Sequence, residues 1–122
     1  MTSTSATTTT ASPASYENLT PLAFLGRSAA TFPDREAVIY GTRRRTYAQF
    51  EAEVQQLARA LAKSIKPGQV VSFVAPNTPE MLAAHYAVPL IGAVLNPLNP
   101  RLAGREFGYI FEHAESQIVF VD

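Results

Sequence analysis

The run Val70-Val71-Ser72-Phe73-Val74-Ala75 shows none of the apolar-polar alternation of a half-exposed strand. Apart from one serine it is continuously apolar, which is the pattern of a strand buried on both faces of a parallel sheet. The period then changes. Met81, Leu82, Tyr86 and Leu90 recur at helical spacing. Asn77 to Glu80 has the form of a capping box, with Pro79 tolerated in the first turn. Pro89 cannot donate to the carbonyl of His85, so a kink is expected there, and Gly92 is the expected stop. Ala93 to Leu98 reads as a second strand, Gly104 to Ala114 as a helix and Ile118 to Val121 as a third strand.

Upstream, order is expected from near Tyr16. Thr20-Pro21 has the form of an N-cap followed by proline at the first helical position, and Leu22, Leu25 and Ala29 keep helical spacing to about Thr31. Phe32-Pro33-Asp34-Arg35 breaks that helix. Ala37 to Tyr40 and Arg43 to Thr46 form the arms of a small hairpin around Gly41-Thr42. Thr46 and Gln49 form a capping box that opens a helix with Phe50, Val54, Leu57 and Leu61 on one face. Pro67-Gly68 ends it. The fold class is therefore α/β, a β-hairpin plus a βαβαβ parallel-sheet unit with right-handed crossovers. Progressive crossovers leave their helices on one face, so the helix from Tyr47 to Ser64 is the candidate to cover part of the other. A domain so thinly covered is expected to be of marginal stability.

Composition narrows the function classes. A chain of 122 residues is one domain or part of one. Lys and Arg number 10 and Asp and Glu 10, a balance that argues against a general nucleic-acid or anionic-membrane binder. Without cysteine there is no disulfide framework, thiolate zinc site or thiol nucleophile. No apolar run approaches the roughly 20 residues of a transmembrane helix. Residues 1–15 are almost all Ser, Thr and Ala without a charged side chain, and are expected to be a disordered tail. Such a start also has the serine richness of a transit peptide, but the first arginine is Arg27, inside the first expected helix. The cytoplasm is the default compartment, with organelle targeting left open.

Several phrases now fall in one order. They are Tyr16-Glu17-Asn18-Leu19-Thr20-Pro21-Leu22, Phe32-Pro33-Asp34-Arg35 before an apolar strand, and Arg45-Thr46-Tyr47 before a long helix. Lys66-Pro67-Gly68-Gln69-Val70-Val71, Pro76-Asn77-Thr78-Pro79-Glu80, Gly92-Ala93-Val94-Leu95-Asn96-Pro97-Leu98-Asn99 and Ile118-Val119-Phe120-Val121-Asp122 follow. This series, over residues 16–122, resembles the first part of the large N-terminal domain of the adenylate-forming acyl-CoA synthetases, the AMP-binding family. Ala87-Val88-Pro89 and the Leu-Asn-Pro run look most like the plant-type acyl-activating enzymes and their bacterial relatives, which take short- and medium-chain or aromatic acids.

The resemblance implies a magnesium-dependent ligase. A carboxylic acid reacts with ATP to give an acyl adenylate and pyrophosphate, and the thiol of coenzyme A then displaces AMP. In the family the phosphate-handling residues begin at a Ser/Thr/Gly-rich loop ending in Pro-Lys-Gly, which this chain lacks. Its glycines form neither GxxxxGK[ST] nor GxGxxG. No catalytic, cofactor-binding or metal-ligating residue is therefore assigned. ATP, magnesium and coenzyme A belong to a full-length enzyme, and the chain alone is expected to be inactive and to need no cofactor.

Residues of chemical interest each have a plainer reading. Arg43-Arg44-Arg45 could contact phosphate, but reads better as a solvated hairpin arm. His85 and His113 lack clustered metal-ligand spacing and read as helix-face histidines. Glu112 and Glu115, three apart, would share a helix face as solvated charges. Asn96, Pro97, Asn99 and Pro100 form either a strand-terminating turn or one wall of a ligand crevice. Ser28 and Thr31 have no partner histidine nearby in sequence. The alternative to the ligase fragment is a non-catalytic α/β module pairing with a full-length relative, since the strand Ile118 to Val121 presents an open edge that also invites self-association. A small nucleotide-binding protein is the weakest reading, because the phosphate loop is missing.

Overall fold

The computed structural model describes residues 20–122. The expected tail at 1–15 and the phrase from Tyr16 to Leu19 lie outside them. The elements run α1 (Pro21–Thr31), β1 (Glu36–Tyr40), β2 (Arg43–Thr46), α2 (Tyr47–Leu61), β3 (Val70–Val74), α3 (Pro79–Leu90), β4 (Val94–Leu98), α4 (Gly104–His113) and β5 (Ser116–Val121). The hairpin of β1 and β2 is antiparallel. The other three strands form a parallel sheet in the order β4-β3-β5.

Local chemistry sets the helix ends. Thr46 accepts from the Gln49 N–H at 3.2 Å while the Gln49 side chain accepts from the Thr46 N–H at 3.0 Å, the reciprocal box expected at the start of α2. The cap of α3 differs from expectation. Thr78, not Asn77, is the N-cap, and its hydroxyl accepts from the Met81 N–H at 3.3 Å. Proline at position 79 forces the residue before it into extended geometry, so Thr78 is the last non-helical residue. Pro89 lies one residue before the end of α3 and works as part of its terminator. Gly92, at φ 74°, closes the helix in a Schellman arrangement, with Gly92 N–H donating to the Pro89 carbonyl and Ala93 N–H to that of Val88.

The sheet order places the helices on two faces. The connection from β3 to β4 runs through α3, and the chain must then pass back across β3 to reach β5. Reversing direction puts a right-handed crossover, and with it α4, on the opposite face. The packing agrees. Leu61 of α2 and Ile65 join Met81, Ala84 and Val88 of α3 over Val71 and Phe73, with no residue of α4 among them. So α2 lies beside α3, where the sequence reading had it covering the other face; its apolar stripe packs on α3 before it meets the sheet. The opposite face has the thinner cover, and α4 contributes no fully buried residue.

A second core joins Leu25 of α1, Val38 of β1, Phe50 and Val54 of α2 and Ala87 of α3. Phe50 meets the Tyr86 ring edge-on at 5.8 Å. This cluster anchors the hairpin to the helical layer.

Candidate functional site

Strands β3 and β4 are neighbours whose following helices leave to opposite faces. Their carboxyl ends part around a crevice, the position at which open α/β sheets bind ligands. It holds about 480 Å³ between Ala75 to Asn77 after β3, Met81 and His85 on α3, and Pro97 to Arg101 at the end of β4. A second crevice of about 540 Å³ shares Asn77, Met81 and His85 and continues over Val38, Ile39, Tyr40 and Leu82. Arg101 is the sole Lys, Arg, Asp or Glu side chain among these linings.

His85 stands at the junction. Its Nδ1 lies 2.8 Å from the Met81 carbonyl oxygen. A carbonyl only accepts, so Nδ1 carries a proton and donates to it, leaving Nε2 as the ring nitrogen free of that bond. The turn after β4 is held by Asn99, whose Oδ1 accepts from the Arg101 N–H at 3.0 Å while its carbonyl accepts from the Leu102 N–H at 3.2 Å. Asn99 thus does the work expected of a strand-terminating turn and lines the crevice as well.

The remaining candidates scatter. Asn96 points away from the crevice, donating from Nδ2 to Ser72 Oγ at 2.9 Å. All three hairpin arginines face carboxylates: Arg43 meets Glu80 at 2.6 Å, Arg44 meets Glu36 at 4.0 Å, and Arg45 pairs with Glu53. Their charge is spent on holding the hairpin. The Glu80 carboxyl is held below its usual range, first by its hydrogen bond to Arg43, and the Arg43 guanidinium is correspondingly raised.

His113 stacks on Tyr109 of its own helix at 5.6 Å. Glu112 and Glu115 do not share a helix face, because α4 ends at His113 and Glu115 sits at φ 52°. Thr31 Oγ1 donates to the Arg27 carbonyl at 2.8 Å, a bond within α1.

Two residues of consequence carry no assigned role in the sequence reading. Arg101 was hidden in a turn phrase. Ser72 is completely buried and bonds to Asn96 and, at 2.7 Å, to Ser116 Oγ, linking all three strands. A lone serine inside an otherwise apolar strand was the available signal.

The family model described as AMP-binding enzyme matches residues 25–122. The chain belongs to that family. The peroxisomal acetate/butyrate–CoA ligase of Arabidopsis thaliana is 45% identical over 111 residues, covering 90% of this chain and 20% of the relative. The 2-methylpropanoate–CoA ligase of Humulus lupulus is 42% identical over 111 residues, again 90% of this chain and 20% of the relative. A fatty acyl CoA synthetase of Mycobacterium tuberculosis superposes with a TM-score of 0.78 at 30% identity, covering 82% of this chain and 20% of that one. The chain therefore spans about a fifth of the curated relatives it matches. The adenylate-forming fold and the acyl-CoA ligase kinship expected from the ordered phrases both hold.

Among the described residues, no three His, Cys, Asp or Glu side chains converge as a metal site. The sequence has no glycine-rich phosphate loop. Among them, too, no helix is long and apolar enough to cross a membrane.

Proposed function

We propose that residues 16–122 are the opening part of the large N-terminal domain of an acid–CoA ligase. The complete enzyme activates a carboxylic acid with ATP and magnesium as an acyl adenylate, then forms the thioester with coenzyme A. The family match over residues 25–122, with CoA ligases as relatives, carries this reading. The relatives' names point to short-chain or aromatic acids as the substrate class, since they include acetate, butyrate and benzoate. By itself the chain is inactive and needs no cofactor, because it lacks the phosphate-handling residues. The cytoplasm is the default compartment, and the peroxisomal relatives keep an organelle address open.

The test is a chimera in which this chain replaces the matching fifth of the Arabidopsis acetate/butyrate–CoA ligase. Thiol-dependent AMP release from ATP and acetate or butyrate is expected from the chimera and not from the isolated chain. A folded but inactive chimera would sink the reading, and activity of the chain alone would sink its second half.

One observation favours a second reading, a non-catalytic module that pairs with a full-length relative or with itself: among the described residues, nothing pairs with the outer edge of β5. A monodisperse monomer at high micromolar concentration counts against self-association.

A further inference from the structure

Strand β3 is buried from Val71 to Val74, with Val71 and Phe73 on one face of the sheet and Ser72 and Val74 on the other. A strand with one wet face is held in register because a slip by one residue would expose its apolar set. That penalty is weak for β3. Its sequence is apolar on both faces apart from Ser72, so a slipped strand would still bury valine and phenylalanine. The facing strand β4 is likewise apolar apart from Asn96. Hydrophobic burial alone therefore specifies the pairing of β4 with β3 only loosely.

The polar exceptions meet. Ser72 lies directly opposite Asn96 in the ladder, and Asn96 Nδ2 donates to Ser72 Oγ at 2.9 Å. On the other side the Ser72 and Ser116 hydroxyls bond at 2.7 Å. The β3–β5 ladder is irregular at that point, since Val70 pairs with Ser116 but Val71 with Ile118, which leaves Gln117 out. Among the described residues, no other polar residue is buried as Ser72 is. A slip of β4 by one residue would set Leu95 or Pro97 opposite Ser72, and neither side chain can donate to its hydroxyl. Register also places the crevice. Asn99, which accepts from the Arg101 N–H, continues β4 beyond Asn96, so each residue of slip carries the wall from Pro97 to Arg101 along by about 3.3 Å.

We infer that Ser72, Asn96 and Ser116 are positioning residues: together they pin the register of the three parallel strands and so place Asn99 and Arg101 at the crevice. Their role is to select one pairing among several that bury apolar surface equally well, as a single buried polar group does in other apolar interfaces. This goes beyond the ligase reading and does not depend on it.

The test is nuclear magnetic resonance on this chain, with interstrand contacts identifying the residue opposite Ser72. Amide exchange at Arg101 and Leu102, both bonded to Asn99, reads the turn. Wild type is expected to show one set of contacts. In a variant combining Ser72→Ala, Asn96→Leu and Ser116→Ala, all three partners become apolar at similar volume, so melting should stay close to wild type. That variant should nevertheless show more than one β3–β4 pairing, with Arg101 and Leu102 exchanging at least about tenfold faster. Ser72→Thr keeps the hydroxyl but adds a methyl group to a filled site, so it should melt lower and still hold one register. If the three residues only added stability, register and protection would follow the melting temperature in both variants. A triple variant that keeps one register with wild-type exchange, or that does not fold, would overturn the inference. So would several registers in wild type, or loss of the single register in Ser72→Thr.

Discussion

Arg43 Nη2 donates to Glu80 Oε1 across 2.6 Å and joins the β1–β2 hairpin to the first turn of α3. The residues are 37 apart in sequence. The carboxylate also sits at a helix N-terminus, where the backbone dipole favours negative charge.

This pair gives stability an acid limb. Because the carboxyl of Glu80 is lowered on folding, mainly by the Arg43 hydrogen bond, its contribution is complete above the unfolded-state value. It is lost as pH falls through the lowered folded-state value. Glu80→Gln should reduce the thermal midpoint slightly at neutral pH, with the gap to wild type closing on acidification. The effect is small because both side chains are about half exposed and screened by solvent. A gap that stays constant down to strongly acid pH would show that Glu80 is not responsible.

Ser72 should be costly to replace. Its hydroxyl is the shared partner of Asn96 and Ser116, and Ser72→Ala leaves both part-buried groups one bond short. A loss of about 1–3 kcal/mol is expected in urea unfolding. Asn96→Ala removes only one of the two bonds and should cost less. Equal losses for the two variants would mean that Ser72 is not the hub.

Gly92 combines two constraints. Its φ is +74°, and a Cβ there would sit 3.2 Å from the Pro67 Cβ. Gly92→Ala should therefore destabilise by about 1–2 kcal/mol. Gly68, also at positive φ but with nothing within 4 Å, should lose only the conformational part on substitution by alanine. Chemical denaturation of the two variants separates conformational strain from crowding.

Ala87 is completely buried in the cluster that joins α1, α2 and α3. Ala87→Leu should overpack this junction at a cost of about 1–3 kcal/mol, read as a lower melting temperature. If the variant melts like wild type, the helices are not in close contact there.

The helices and strands were legible in the chain, though not all of their ends, because helical and extended periods leave local signatures and most caps are short-range chemistry. Thr46 and Gln49 close their box within one turn, and the apolar runs at Val70 and Ile118 are strands on composition alone. The ordered phrases determined the family too. Tertiary structure decided what lies beside what. Strand order put β3 in the centre and sent α4 to the face opposite α3, an outcome that depends on long-range pairing and that no local pattern encodes. The same order drew His85, Asn99 and Arg101 around one crevice and turned Asn96 inward to Ser72. It also put Pro97 on one outer strand and, among the described residues, left the outer edge of β5 unpaired, because which strand is outermost depends on long-range pairing, not on the residue.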